Sequence, residues 1–159
     1  MKASVQRVVT ALQEAGIETE VKEFAASTRT AEDAAAAIGV SVGQIVKSLV
    51  FLAGDQAVLA LVSGPNRADT QKLAQLTGST ITRADADTVR KLTGFAIGGV
   101  PPLGHATPLK TFCDRDLLQY DVIWAAAGTP NAVFAITPAD LERLPGVQVA
   151  DICVAQELQ

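Results

Sequence analysis

Aromatic side chains are scarce in this sequence, at 4% of residues, so its interior cannot be built around stacked rings. A core of Ala, Val, Leu and Ile is expected instead, and such small side chains let helices pack closely on a sheet. One histidine stands among 159 residues, which excludes a metal centre built on several imidazoles. The two cysteines, Cys113 and Cys153, make no CxxC pattern and are expected as buried thiols rather than a disulfide. No run of 18 or more uncharged apolar residues occurs, which excludes a membrane-spanning helix. Lys2 and Arg7 have no apolar run behind them, so a secretory leader is not expected and the cytoplasm is the expected compartment. Cationic excess is missing too: 13 Lys and Arg against 17 Asp and Glu leave a formal net charge of −4. Neither DNA nor a membrane is an expected partner. RNA binding would need a local basic site, one end of the molecule or the help of another protein.

What is present supports one folded domain across residues 1–159, with 48% hydrophobic and 19% charged residues. Val5, Val8, Val9 and Leu12 fall at helical spacing, which predicts a helix over 4–15 with Ser4 as its cap and Gly16 behind it. Alternation over 17–24 predicts a strand. Thr28 or Thr30 can cap a second helix that Gly39 ends. Apolar runs over 45–52 and 57–62, joined by Gly54-Asp55, predict a hairpin. Helices with acidic starts are expected over 69–76 and 85–92, closed by Gly78 and Gly94. A Gly/Pro-dense loop spans 94–108. Then come a strand over 109–113, a turn or short helix from Asp114, and strands over 122–127 and 132–136. A helix opened by Thr137-Pro138 and a short strand over 147–149 complete the chain. Hairpins with interspersed helices imply an α+β (mixed α/β) domain with a mixed, mostly antiparallel sheet.

Four places could carry chemistry. Lys47 interrupts an apolar strand and shares a face with Ile45 and Leu49; it either faces a cleft or lies at a solvated edge. Ser48 is the other polar residue of that run. In the loop Gly98-Gly99-Val100-Pro101-Pro102-Leu103-Gly104-His105, adjacent glycines let backbone amides approach a ligand, and the two prolines stiffen the second half of the loop. Such a loop can present an oxyanion site, or be a surface connection punctuated by breakers. Its spacing fits neither a Walker loop nor a dinucleotide fingerprint. His105 reads either as a base or, more commonly for such a residue, as a structural hydrogen bonder. Ser63, at the end of its strand, and the Gly128-Thr129-Pro130-Asn131 segment read as a site loop or as plain turns. Cys113 lies in apolar surroundings, where a thiol is inert.

Taken in order, these pieces resemble the YbaK/prolyl-tRNA editing (aminoacyl-tRNA deacylase) family from about Thr28 to Val149. The resemblance rests on the Thr-Ala-Glu-Asp-Ala-Ala helix, the strand Ile45-Val46-Lys47-Ser48-Leu49-Val50-Phe51 and the Gly98-Gly99-Val100-Pro101-Pro102-Leu103-Gly104 loop. It extends to Ala127-Gly128 and the Thr137-Pro138-Ala139-Asp140-Leu141 helix. The family likeness implies a mixed sheet partly closed on itself and a hydrolase that deacylates mischarged tRNA carrying a small amino acid of the Cys, Ala, Ser or Thr class. It implies tRNA-Pro or a related tRNA, recognition of the 3′ end, a possible aminoacyl-tRNA synthetase partner, and neither metal nor cofactor. Lys47, Gly98 and Gly99 take the catalytic places. Thr28, Ser48, Ser63, Pro101, Pro102, Gly104, His105, Gly128 and Asn131 take the substrate-binding ones. Many relatives have Ser where Pro101 stands, and the loop at Gly128 lacks the arginine often found there. A non-catalytic RNA- or synthetase-binding module of the same fold is the alternative.

Overall fold

The computed structural model describes residues 2–25 and 30–155. Five helices and eight strands follow the chain: α1 (Ala3–Glu14), β1 (Val21–Glu23), α2 (Ala31–Ile38), β2 (Val46–Ala53), β3 (Gln56–Ser63), α3 (Thr70–Thr77), β4 (Ile81–Arg83), α4 (Ala86–Thr93), β5 (Lys110–Asp114), β6 (Ile123–Ala126), β7 (Ala132–Ile136), α5 (Pro138–Glu142) and β8 (Val147–Ala150). Helix ends obey the caps written into the sequence. The side chains of Thr30, Asp69, Asp85 and Thr137 accept the first free N–H groups of α2, α3, α4 and α5. Gly39, Gly78 and Gly94 close α2, α3 and α4 in the left-handed conformation.

One sheet has the order β1-β7-β6 and is antiparallel throughout; the other has the order β4-β2-β3-β5-β8. Within the second, β2–β3 and β2–β4 are antiparallel, while β3–β5 and β5–β8 are parallel. The main core lies between the sheets and under α1, joining Val5, Val8 and Leu12 to Leu59, Leu61, Ile123 and Phe134. A second cluster on the outer face of the five-stranded sheet gathers Phe51, Phe112, Leu73 and Ile152. The expected closure is a meeting of two sheets at one bridge, Ile45 beside Trp124.

Three local expectations are corrected. Ser4 is not a cap, because α1 starts one residue earlier with Lys2 at the cap position and no side-chain bond there. The strand expected over 17–24 shrinks to β1, because the Ile17 N–H is used by the Leu12 carbonyl, at 2.9 Å, to close α1. Strand β4 was not expected; it gains its order from the last three residues of β2.

A buried carboxylate ties the β3 end to the β5 end. Asp114, 2% exposed, accepts from the Ser63 N–H (3.0 Å), the Asn66 side-chain amide (2.8 Å) and the Asp116 N–H (2.9 Å). The Ser63 hydroxyl in turn donates to the Gly43 carbonyl at 2.6 Å. A charge out of water needs such a set of donors.

The long loop after α4 is stitched down at both ends. The Arg7 guanidinium donates to the Gly94 carbonyl and lies 4.5 Å from the centroid of the Phe95 ring. His105 Nε2 bonds the Pro101 carbonyl at 2.6 Å, which makes Nε2 the protonated nitrogen of the ring. Further along, Gly99 meets the 128–131 turn: its carbonyl accepts the Gly128 N–H at 3.0 Å. A Cβ on Gly99 would sit 2.8 Å from Thr129 Cα, and one on Gly128 would sit 2.6 Å from the Ser4 carbonyl oxygen. These two glycines stack the loop, the turn and the start of α1 closer than any side chain allows.

Four stability results are expected. Asp114→Ala takes the acceptor from the buried Ser63 N–H and removes its bonds to Asn66 and Asp116, lowering the unfolding free energy by about 3 kcal/mol, read from urea transitions. Gly99→Ala costs about 2 kcal/mol through overpacking. Gly98→Ala costs only about 1 kcal/mol, because its burden is a φ of +86° while its added Cβ meets Pro130 at an ordinary 3.5 Å. Burial holds the His105 imidazole below its ordinary 6.5, against the opposing pull of the Pro101 carbonyl. The unfolded chain therefore takes up this proton first, so the contribution is full above pH 6.5 and is lost as the pH falls. Urea midpoints of His105→Gln should decline less than wild type on acidification from about pH 7 to 5.

Candidate functional site

Strand β4 covers only the last three residues of β2, so the β2 edge over residues 47–50 is left unpaired among the described residues. Beyond the Ile45–Trp124 bridge the two sheets diverge there and open a cleft of about 430 Å³. Lys47 and Ser48 enter from β2, Gly98 from the glycine loop, and Trp124 from β6. Thr30 and Glu32, from the cap and first turn of α2, line it too, and Pro130 enters from the turn after β6. Ala34, Ile45, Val46, Ala126 and Val133 make the walls largely apolar.

Lys47 is half-buried, and its ammonium donates to the backbone carbonyl of Asn66. That carbonyl is itself anchored, since the Asn66 amide donates to Asp114 and to Asp116, each at 2.8 Å. Burial lowers the Lys47 pKa from its ordinary 10.5, and Arg67 lowers it further, while Glu32 and Asp114 oppose the shift. Of the two alternatives for a lysine in an apolar strand, the structure has the one that faces a cleft.

Ser48 puts its hydroxyl oxygen out of contact with solvent, yet that oxygen has no hydrogen-bond partner among the described residues. Such a group normally has one. Gly98 presents an N–H that is likewise unengaged among the described residues. The Gly99 N–H, by contrast, donates to the Ala96 carbonyl at 3.0 Å. Its amide is therefore not available to a ligand, and Gly99 acts by close packing.

Lys47, Ser48 and Gly98 thus converge, and the other expected positions do not. Ser63 is buried and committed to Gly43 and Asp114. Pro101 and Pro102 are buried in the loop, and Gly104 packs on α1, 3.2 Å from Ala11 by the position a Cβ would take. His105 is held by Pro101 and stands edge-on to Phe95. Gly128 lies behind the cleft against α1. Asn131 accepts from the Thr129 hydroxyl and donates to the Phe24 carbonyl, both at 2.8 Å. Thr28 lies outside the described residues.

The sequence pattern did not mark Thr30, Glu32, Ile97 or Trp124 as lining residues, and it offered Pro130 only within the 128–131 segment. A signal existed for two of them. Trp124 is the single tryptophan of the chain, and Ile97, beside the glycine pair, is an apolar side chain left 55% exposed. Both thiols lie outside the cleft, and burial is the main cause pushing each up to about 12. Among the described residues no group of His, Cys, Asp and Glu is placed to hold a metal ion. No helix among them is long and apolar enough to cross a membrane.

The model of the aminoacyl-tRNA editing domain matches residues 25–144, which include every one of the converging groups. A crystal structure of a candidate trans-editing enzyme for prolyl-tRNA synthetase superimposes with a TM-score of 0.93 at 52% identity, covering 98% of this chain and 99% of that one. The protein YwhH of Bacillus subtilis is 35% identical over 138 residues, 86% of this chain and 88% of that protein. EbsC of Enterococcus faecalis, a candidate Cys-tRNA(Pro)/Cys-tRNA(Cys) deacylase, is 27% identical over 125 residues, 77% of this chain and 76% of its own length. The mixed two-sheet architecture and these matches agree: the chain belongs to the aminoacyl-tRNA editing domain family.

Proposed function

We propose that this domain, spanning residues 1–159, is a cytoplasmic, metal-independent trans-editing hydrolase. Its substrate is a small amino acid of the Cys, Ala, Ser or Thr class wrongly esterified to tRNA-Pro or a related tRNA. The observation that carries the reading is that Lys47, Ser48 and Gly98 line one apolar-walled cleft, with the Ser48 hydroxyl unpartnered among the described residues.

The ester joins the amino acid to the terminal ribose. Lys47, steadied by Asn66, holds the adjacent phosphate or ribose oxygen. The Gly98 N–H donates to the ester carbonyl oxygen as negative charge grows there, beside the Ser48 side chain. A water molecule, oriented by the neighbouring ribose hydroxyl, adds to the carbonyl carbon and gives up a proton. The bond from that carbon to the ribose oxygen then breaks, and the ribose oxygen takes up a proton. Alignment of the ester supplies the rest, which is why no nucleophilic side chain is needed. Pro101 and Gly99 contribute by fixing the loop.

Selection comes from the walls. Rejecting an amino acid for one methylene is worth only ~1–3 kcal/mol, so a separate pocket that admits the small intruder suits editing better than a synthetase site. The expected partners are the aminoacylated 3′ end and a synthetase that releases the mischarged tRNA.

Lys47→Ala is expected to fold, by circular dichroism, and to lower kcat/KM about 100-fold on a panel of Cys-, Ala-, Ser- and Thr-charged tRNA-Pro. Lys47→Arg should fall between the two, since it keeps the charge and loses the fit to the Asn66 carbonyl. Wild-type turnover by a folded Lys47→Ala removes the anchoring role. Binding of charged tRNA by the wild type without multiple turnover makes the domain a binding module instead.

A further inference from the structure

Strand register puts five side chains on one face of the three-stranded sheet. Val133 stands opposite Lys22 of β1 and opposite Ala126 of β6, and Ala135 stands opposite Trp124. Antiparallel partners point to the same side, and residues two apart along β7 share that side. Trp124, Ala126 and Val133 also line the cleft, so this face continues out of it. The floor is small side chains. Across it Lys22 reaches from the exposed edge strand to place its ammonium 5.0 Å from the centroid of the Trp124 ring. The indole is fixed from behind, where it packs with Ala34, Ala35 and Ile45 at α2. Among the described residues, the cation over its ring face is this lysine, on a flexible stem.

A half-buried indole next to a cation, on a flat face at the mouth of a cleft, matches what an unpaired nucleotide offers. Its base has a π face for the ring, and its phosphate has charge for the lysine. Stacking of a base outweighs an exposed cation–π contact, so the base displaces the ammonium, which turns to the phosphate. The need is real in a chain of net charge −4, with Glu32 at the same cleft. We propose that Trp124 and Lys22 form a stacking shelf for the unpaired nucleotide preceding the terminal adenosine of a tRNA acceptor end. The inference rests on the reading of the cleft as the site of the aminoacylated terminus.

Trp124 is the single tryptophan of the 159 residues, so their intrinsic tryptophan fluorescence reports on the shelf directly. The probe is an uncharged acceptor-stem minihelix with a single-stranded CCA end, compared with the same stem made blunt. Saturable quenching by the tailed RNA and none by the blunt one is expected. Trp124→Leu should weaken binding of the tailed RNA about tenfold, and Trp124→Phe should restore most of it. Lys22→Gln, on an exposed strand edge, should make the slope of log K against log salt shallower by about 0.7, as expected for one lost phosphate contact on a single strand. Equal quenching by both RNAs, absence of quenching, or an unaltered salt slope in Lys22→Gln overturns the shelf. If it is overturned while the wild type deacylates charged tRNA, the functional reading stands without it. If quenching is tail-specific while no charged tRNA is deacylated, the shelf stands and the hydrolase reading falls.

Discussion

The Asp114 carboxylate is the constraint on which the rest of the site depends. A negative charge removed from water must be met by donors, and the fold meets this one from three segments: the end of β3, the turn after it and the turn after β5. That arrangement fixes Asn66, and Asn66 presents the carbonyl that orients Lys47. A lysine on a strand edge would otherwise sample many rotamers. Here its position is set by a carboxylate it does not touch through any hydrogen bond of its own among the described residues.

Opposite the lysine, order comes from the absence of side chains. Gly99 and Gly128 let two irregular segments and the start of α1 lie against one another. The carbonyl of Gly99 holds the turn, its N–H holds Ala96, and the neighbouring Gly98 is left to present its N–H to the cleft. One wall of the cleft is therefore set by electrostatics and the other by close approach of backbone. The two walls meet across small apolar side chains that contribute shape and little else.

Much of this was legible in the sequence. Caps and left-handed glycines marked α3 and α4 to within a residue and the end of α2 at Gly39, with its start left between Thr28 and Thr30, and the β2–β3 hairpin was evident from two apolar runs around Gly54-Asp55. Lys47 stood out because a charge in an apolar strand demands an explanation. Strand β4 was not legible, since three residues carry no period and gain order only from a partner strand, and β1 was legible only within a longer alternation over 17–24. Polar residues in loops misled for a common reason. Ser63, His105 and Asn131 serve the backbone groups that irregular segments leave unsatisfied, and nothing in one sequence separates that duty from ligand binding. Thr30, Glu32, Trp124 and Pro130 reach the cleft from segments far apart along the chain, which only the three-dimensional path reveals.

The bond from Asn66 to Asp114 joins residues 48 apart in the chain, across a parallel pairing of β3 with β5. Contacts of such long span are made only after the intervening loop has closed, so they form late. A ribosome-bound chain that has emerged only through α4 can already hold the β2–β3 hairpin, but it has no Asp114 to seat Asn66. The lysine is thus aimed only once β5 has been added to the sheet. Order at the lysine end of the cleft is in this way coupled to closure of the sheet.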